Sequence, residues 1–392
     1  MAEYKGFQGP SAPEHKSKGS ALTALFLLAL VAGAAWLTAQ DFMSMWAEDK
    51  VYPAEGFKEY KLSDWEPAIK DTPGDTPVFI QEGPEPGGTV LILGGTHPNE
   101  PSGFITATLY LERAKVAKGR LIVIPFANHS AFTHNSPQDA APQRFHLDQG
   151  GGKARVFKFG SRATNPIHQW PDPDIYIHYP SGQKLDGSSR ANLNRGYPGT
   201  LKEGITQAAS LAILELIRKE KVTLAFDLHE ASPEYPVVNA MVSHERAMEL
   251  AATAAMELEF QEIPMRLEPS PANLRGLSHR EWGDGTEETL AILMESGNPS
   301  QGRLRERTDE ALVLTGRDKA YARASKLGRL FIPYEEDQPL ALRVARHTTA
   351  IMTCVDLLET VLSPEKGIKI ENIPSYEEIT AQGVGPFLAP DR

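Results

Sequence analysis

Four short stretches carry residue types and spacings that can do chemistry: Gly94-Gly95-Thr96-His97-Pro98-Asn99-Glu100, Asn192-Leu193-Asn194-Arg195, Asp227-Leu228-His229 and Glu295-Ser296-Gly297. A histidine and a glutamate three residues apart can both reach one ion from a single tight turn. A distant second histidine then closes a three-ligand set that leaves the fourth tetrahedral position to water. His97, Glu100 and His229 are therefore the candidate ligands of one zinc ion. Glu295 adds a carboxylate that need not bind the metal, which is what a general base acting on that water requires. Asn194 and Arg195 are adjacent polar groups on one loop, and the planar fork of a guanidinium suits a substrate carboxylate. A turn and a surface ion pair is the plainer reading of the same two residues. Arg190 is a candidate for polarising a scissile carbonyl by its position only, beside the reading that it is an ordinary surface arginine. Asp227 is expected to point away from the ion and steady His229 or a neighbouring loop, because metal-bound histidines commonly have a carboxylate or carbonyl partner. Glu230 is taken as a solvated or supporting group.

These residues need strand ends and turns to hold them. Thr89 to Leu93 is a short apolar, β-branched run that ends in Gly94-Gly95, and Phe104, Ala107, Leu111 and Ala114 follow at helical spacing. Leu121 to Phe126, Val222 to Leu228 and Thr289 to Met294 are further buried strands, and Ile205 to Arg218 is an amphipathic helix. Apolar strands alternating with helices predict an α/β fold, a mostly parallel mixed sheet with helices on both faces. In such sheets ligands bind outside the carboxyl ends of the strands. His97, His229 and Glu295 all fall just there.

The stretch 132–189 breaks the rhythm. It is rich in Gly, Pro, Gln, Asp, His and aromatic residues, shows no sustained period, and reads as an insertion folded over the site mouth. Its neighbourhood holds His129, His134, His146, His168 and His178 without any repeated ligand spacing, so a solvated loop is favoured over a second metal site. Beyond Gly302 the chain turns helical, with 340–362 the longest pattern, and the Pro- and Glu-rich tail 364–392 is expected to be irregular.

The amino-terminal part carries a separate signal. Residues 21–39 form an uncharged apolar run, about 28 Å long if helical and long enough to cross a hydrocarbon core. Lys16 and Lys18 precede it, while Asp41, Glu48 and Asp49 follow. The positive-inside rule then leaves a cytoplasmic tail, 1–20, and sends everything after the helix across the membrane. A cleavable signal peptide, with Ala32-Gly33-Ala34 as cleavage site, is the competing reading. Both place the remainder outside the cytoplasm, as a polar connector, 40–77, followed by one large domain, 78–363.

Composition bounds the partners. The net charge of -11 and the lack of a Lys/Arg-rich run set nucleic acid aside. The lone Cys354 excludes an intrachain disulfide and thiolate metal sites, and it reads as a small buried hydrophobe.

Taken in order, GGTHPNE, NLNR followed by Tyr197-Pro198-Gly199, DLH, and ESG with Gly302 five residues on resemble the succinylglutamate desuccinylase and aspartoacylase family of the zinc carboxypeptidase superfamily. The resemblance spans roughly Val90 to Gly302. It implies that His97, Glu100 and His229 bind zinc, that Glu295 is base and proton shuttle, and that Asn194 with Arg195 holds a substrate carboxylate. The implied activity is hydrolysis of an amide bond in a small N-acyl amino acid or a peptide end. Two alternatives stand beside it: a carboxypeptidase or amidopeptidase acting on cell-wall peptides, and a membrane-tethered binding protein that has lost turnover. The chain departs from the family pattern at Pro98, where Gly is usual, in the 132–189 insertion, and in a helical rather than β-rich carboxyl-terminal part.

Overall fold

The computed structural model describes residues 18–135, 141–334 and 337–391. It divides into two compact units, Met1–Ala47 and Glu48–Arg392. The first contains α1 (Lys18–Met43), whose 26 residues make a helix about 39 Å long. Its Leu25, Phe26, Leu30 and Trp36 are exposed, and by length and composition this helix can cross a membrane. Lys16 and nearly all of the tail 1–20 lie outside the described residues.

In the second unit the chain begins with strands β1 (Lys58–Lys61), β2 (Pro77–Glu82), β3 (Glu85–Leu93) and β4 (Lys115–Ile124). Two hairpins follow, β5 (Arg144–Gly150) with β6 (Lys153–Lys158) and β7 (Ile175–Ile177) with β8 (Lys184–Asp186). Then come β9 (Leu224–Ala231), β10 (Ala240–Ser243), β11 (Arg266–Pro269), β12 (Leu290–Gly297) and β13 (Lys369–Glu371). One sheet of nine strands runs β1-β2-β4-β3-β9-β12-β10-β11, with β13 beside β4. Its centre, β4-β3-β9-β12, is parallel, whereas β1, β2, β10 and β13 join antiparallel. The sheet is thus mixed, with a parallel core less extensive than the sequence predicts. Parallel neighbours need long crossovers. The helices α2 (Pro101–Arg113) and α3 (Ile205–Lys219) supply them, and they are the helices the periodicity reveals. The antiparallel strands β1, β10 and β13 are too short to show a period.

Alternation along the strands divides the core. Val90, Ile92, Phe226, Leu228, Ile292 and Met294 pack on α2, α4 (Met248–Phe260) and α8 (Leu340–Val361). Their neighbours Leu91, Leu93, Ala225 and Ala291 pack on α3 and on Trp282 of α5 (Ser278–Asp284). Both faces are covered, as a parallel centre requires. Cys354 lies on the buried face of α8, the small hydrophobe the sequence suggests.

Three stretches carry more structure than their composition announces. In the connector 40–77, β1 joins the sheet and Leu62, Trp65 and Ile69 enter the core. In the insertion, Phe145, Leu147, Phe157 and Phe159 from the β5–β6 hairpin pack on Phe104 and Phe132. After α6 (Glu310–Thr315), α7 (Lys319–Lys326) and α8, the carboxyl-terminal tail forms β13 and then α9 (Tyr376–Gln382), whose start is a Ser375/Glu378 capping box. Ile370, Ile379, Val384 and Leu388 bury it, so sparse apolar anchors outweigh a composition rich in Pro and Glu.

Candidate metal centre

The turn after β3 positions the first two polar groups. Gly95 has φ +71°, and a Cβ there would lie 2.7 Å from the carbonyl of Pro125, so only glycine allows this tight exit. Pro101 starts α2 at a position that suits proline, and Gly103 lets the helix approach β9 so closely that a Cβ would lie 2.3 Å from the Leu228 carbonyl. His97 and Glu100 are thereby pressed against the end of the strand that carries His229.

The three side chains converge. His97 Nδ1 lies 2.9 Å from Glu100 Oε1 and 3.1 Å from His229 Nδ1, and His229 Nδ1 lies 3.0 Å from Glu100 Oε2. All three residues are buried, and together they form a group able to hold a metal ion. A tetrahedral ion with ligands at about 2.0–2.2 Å needs ligand atoms roughly 3.3–3.6 Å apart, so a few tenths of an ångström of expansion accommodates it. The opposite ring nitrogens are already engaged. His97 Nε2 donates to Asn192 Oδ1 at 2.8 Å, and His229 Nε2 stands 2.8 Å from Asp227 Oδ2 in an ion-pair contact that is poorly aligned for a hydrogen bond. This leaves both Nδ1 atoms facing a common point, the orientation metal-bound histidines take from such partners.

The electrostatics favour a cation at that point. Burial lowers the basicity of His229, but Asp227 and Glu100 overcome it and raise the ring to about 10. Burial likewise pushes the Glu100 carboxyl up, while His97, Arg162 and hydrogen bonds from the two histidines hold it well below the usual carboxylate range. His97 itself is lowered to about 4 by burial and by the neighbouring Arg162. Asp227, fixed by Thr96 Oγ1 at 2.7 Å and by the Ser278 hydroxyl, stays below its ordinary value despite burial.

Glu295 does not contact the group directly. It pairs across β9 and β12 with His229, on the same face, and its buried Oε2 has no hydrogen-bond partner among the described residues. Burial, opposed chiefly by His229, raises its carboxyl to about 8. A cation held by the neighbouring group would pull that value back down and leave a carboxylate able to accept a proton.

Asn194 and Arg195 line the same cavity, about 470 Å³ in volume. Asn194 Oδ1 accepts from the Ser278 amide at 2.8 Å, which ties the loop to α5. Among the described residues Arg195 donates only to the adjacent Asn194 carbonyl, at 2.5 Å, and burial with the like charge of Arg162 lowers it to about 10. Two guanidinium groups facing one cavity with so few protein acceptors favour an anionic occupant.

The structure does not bring Arg190 into this cavity. Its guanidinium donates to the carbonyls of Pro171, at 3.0 Å, and Glu203, while its own carbonyl accepts from Gln169 and Gln207. Those acceptors commit it to fastening the loop before α3. Arg162, which sequence reasoning missed, occupies the site instead and donates to Glu100 Oε1 at 2.6 Å. It lies in the aperiodic insertion, where spacing gives no signal; only its place shortly after β6 and ahead of NLNR hints at it. Glu230 is not solvated. It is buried, pairs with Arg343 at 2.6 Å, accepts from Asn298 at 2.8 Å, and gives its backbone N–H to Glu100 Oε2 at 3.0 Å.

The histidines in and beside the insertion have separate partners. His129 faces Glu48, His168 meets Ser130, His146 meets Glu310 and His178 contacts Tyr197 and Ser181, so no second metal-binding group forms among the described residues.

No family model matches the sequence, and no curated protein matches it. Solved structures do. A succinylglutamate desuccinylase/aspartoacylase from Rhodobacter sphaeroides is 15% identical, with TM-score 0.41 over 80% of this chain and 68% of that one. The tripeptide-bound cell shape determinant Csd4 from Helicobacter pylori is 14% identical, with TM-score 0.44 over 78% of this chain and 59% of its own. The product-bound ectoine utilization protein EutE (DoeB) from Ruegeria pomeroyi is 16% identical, with TM-score 0.38 over 66% of each chain. This chain therefore spans about three fifths to two thirds of their lengths and is similar to structures of the succinylglutamate desuccinylase/aspartoacylase family.

Proposed function

We propose that this chain is a zinc-dependent amidohydrolase that cleaves an amide bond of a small N-acyl amino acid or a peptide end bearing a free carboxylate. The observation that carries this reading is the convergence of His97 Nδ1, Glu100 and His229 Nδ1 on one point beside the unpartnered Glu295 Oε2. Two imidazoles and one carboxylate are a donor set suited to zinc. Zinc bound there supplies Lewis acidity and lowers the pKa of water to about 7.

The chain's own residues do the rest. Arg195 and Asn194 take the substrate carboxylate and orient the scissile amide. Arg162, half exposed above Glu100, offers positive charge to the oxyanion that develops at the carbonyl. Glu295 Oε2 accepts the proton of the attacking water and returns it to the leaving nitrogen. Glu230 and Asn192 hold Glu100 and His97 in place. The apolar run 21–39 within α1, with Lys16 and Lys18 before it and Asp41, Glu48 and Asp49 after it, anchors the chain with this unit outside the cytoplasm.

Metal analysis of the purified chain, followed by hydrolysis assays on a panel of acyl amino acids and cell-wall peptides, tests this reading. One equivalent of zinc and release of a free amine are expected. A zinc-loaded protein that hydrolyses none of the panel but binds its members defines a tethered binding protein instead. Protease protection in sealed vesicles of known sidedness tests the topology, and digestion of this unit by protease added on the cytoplasmic side overturns it.

A further inference from the structure

The sheet continues past the metal-binding group into a region the hydrolytic reading leaves unused. On the face that carries His229 and Glu295, register aligns Asp227, Leu293, Val242 and Glu268 as one row across β9, β12, β10 and β11. Leu293 and Val242 make an apolar floor to the cavity, and Glu268 stands at its outer end on the edge strand. Two strand spacings across and two residues along the sheet separate Glu268 from Glu295, about 12 Å between backbones.

Glu268 is half-buried and makes no ion pair or hydrogen bond among the described residues. The cations of the neighbouring α5 are committed elsewhere, Arg280 to Glu245 and Ser270 and Arg275 to Glu281 and Asp284, and neither Arg195 nor Arg266 of β11 forms an ion pair with Glu268 among the described residues. The cavity wall also contains His279, 1% exposed, neither of whose ring nitrogens has a partner among the described residues. Buried polar groups are ordinarily hydrogen-bonded, and a carboxylate at the end of an apolar trough is favourable only with a counter-charge. Two groups in one cavity thus lack the partner that a ligand would bring. An apolar floor ending in a carboxylate matches a side chain with an aliphatic stem and a protonated amine at its tip.

We propose that Glu268, with His279 in the adjoining wall, selects substrates whose carboxylate-bearing residue has an amine-terminated side chain, such as a lysine-like diamino acid. The proposal rests on the amidohydrolase reading for its orientation, since Arg195 and Asn194 hold the carboxylate and so direct the side chain of that same residue toward Val242 and Glu268.

The test is calorimetric binding to the zinc-loaded full-length chain in detergent, in an E295Q background so that turnover plays no part. The probes are N-acetyl-lysine and N-acetyl-norleucine, nearly isosteric and differing in the terminal amine. A charge-assisted contact predicts roughly 10- to 100-fold tighter binding of the lysine compound. Adding E268Q should remove that preference by weakening lysine binding alone, and E268K should reverse it toward N-acetyl-glutamate. H279L should weaken the lysine compound more than the norleucine one. Equal affinity for the two compounds overturns the proposal, as does an unchanged preference in E268Q. Hydrolysis of the norleucine compound by the chain with Glu295 intact separates the outcomes: if it is cleaved without lysine preference, only the selectivity fails, whereas if neither compound is bound or cleaved, the amidohydrolase reading fails with it.

Discussion

Glu295 stands directly across the parallel ladder from His229, on one face and one strand spacing away. Because the sheet fixes that spacing, the carboxylate is close enough to serve the same small volume as the imidazole yet remains outside the three-residue group. A base in this position has a role separable from metal binding. Glu295→Gln is expected to retain zinc and fold while turnover drops roughly 10²-fold or more. Metal content and kcat measured on the same preparation check this, and near-normal kcat in a zinc-loaded variant refutes the role.

The group around Asp227 predicts a different split. Asp227 contacts His229 Nε2 and is itself held by Thr96 and Ser278, so it orients the ring without reaching the ion. Asp227→Asn keeps the shape but removes the charge. Zinc affinity should fall by roughly 10- to 100-fold, the usual consequence of losing such an outer partner. Competition with a calibrated chelator reads it directly, and an unaltered affinity would show that Asn192 and Glu100 suffice to set the ring nitrogens.

How much of this was legible in the sequence follows from the length scale of each signal. The residues of the candidate metal group announce themselves because turn, spacing and strand end coincide within a few residues, as at His97 and Glu100. The central strands and α2, α3 and α8 show through periodicity for the same reason. Arg162 is invisible because its place depends on how the insertion folds back, a long-range event with no local pattern. Arg190 drew attention by lying near Asn194 in sequence, yet the Pro171 and Glu203 carbonyls capture it first. The row from Leu293 to Glu268 needs registers between strands distant in sequence, two of them four residues long.

Burial of His347 makes the fold acid-sensitive. Its ring nitrogens meet Ser296 at 2.9 Å and Ser102 at 3.4 Å, and burial together with Arg346 lowers it from 6.5 to about 3. Between those values the unfolded chain binds a proton that the folded chain does not, so stability falls as pH drops from 6.5 toward 3 and is unaffected above that window. One such group contributes a slope of about 1.4 kcal/mol per pH unit. His347→Gln, which can still meet Ser296, should flatten the decline of Tm below pH 6 by that share. An identical pH profile in the variant would mean that His347 does not titrate on unfolding.

Arg162 and Arg190 provide the sharpest contrast, because the structure puts Arg162 in the place that chain position suggests for Arg190. Arg162 donates to Glu100 and lines the cavity, whereas Arg190 spends its guanidinium on two backbone carbonyls. If Arg162 stabilises charge that develops during reaction, Arg162→Ala should lower kcat by roughly 10²- to 10³-fold, comparable to loss of one oxyanion donor. Arg162→Lys should recover only part, since a compact ammonium cannot keep both Glu100 and a carbonyl oxygen in bidentate reach. Arg190→Ala should instead leave kcat within a few-fold of the parent and lower Tm, because it releases the loop ahead of α3. Arg195→Ala completes the comparison: it should raise KM for a substrate with a free carboxylate and matter little for its amidated analogue, whose charge is already gone. A kcat loss in Arg190→Ala larger than in Arg162→Ala would reverse the assignment and require the loop to rearrange when substrate binds.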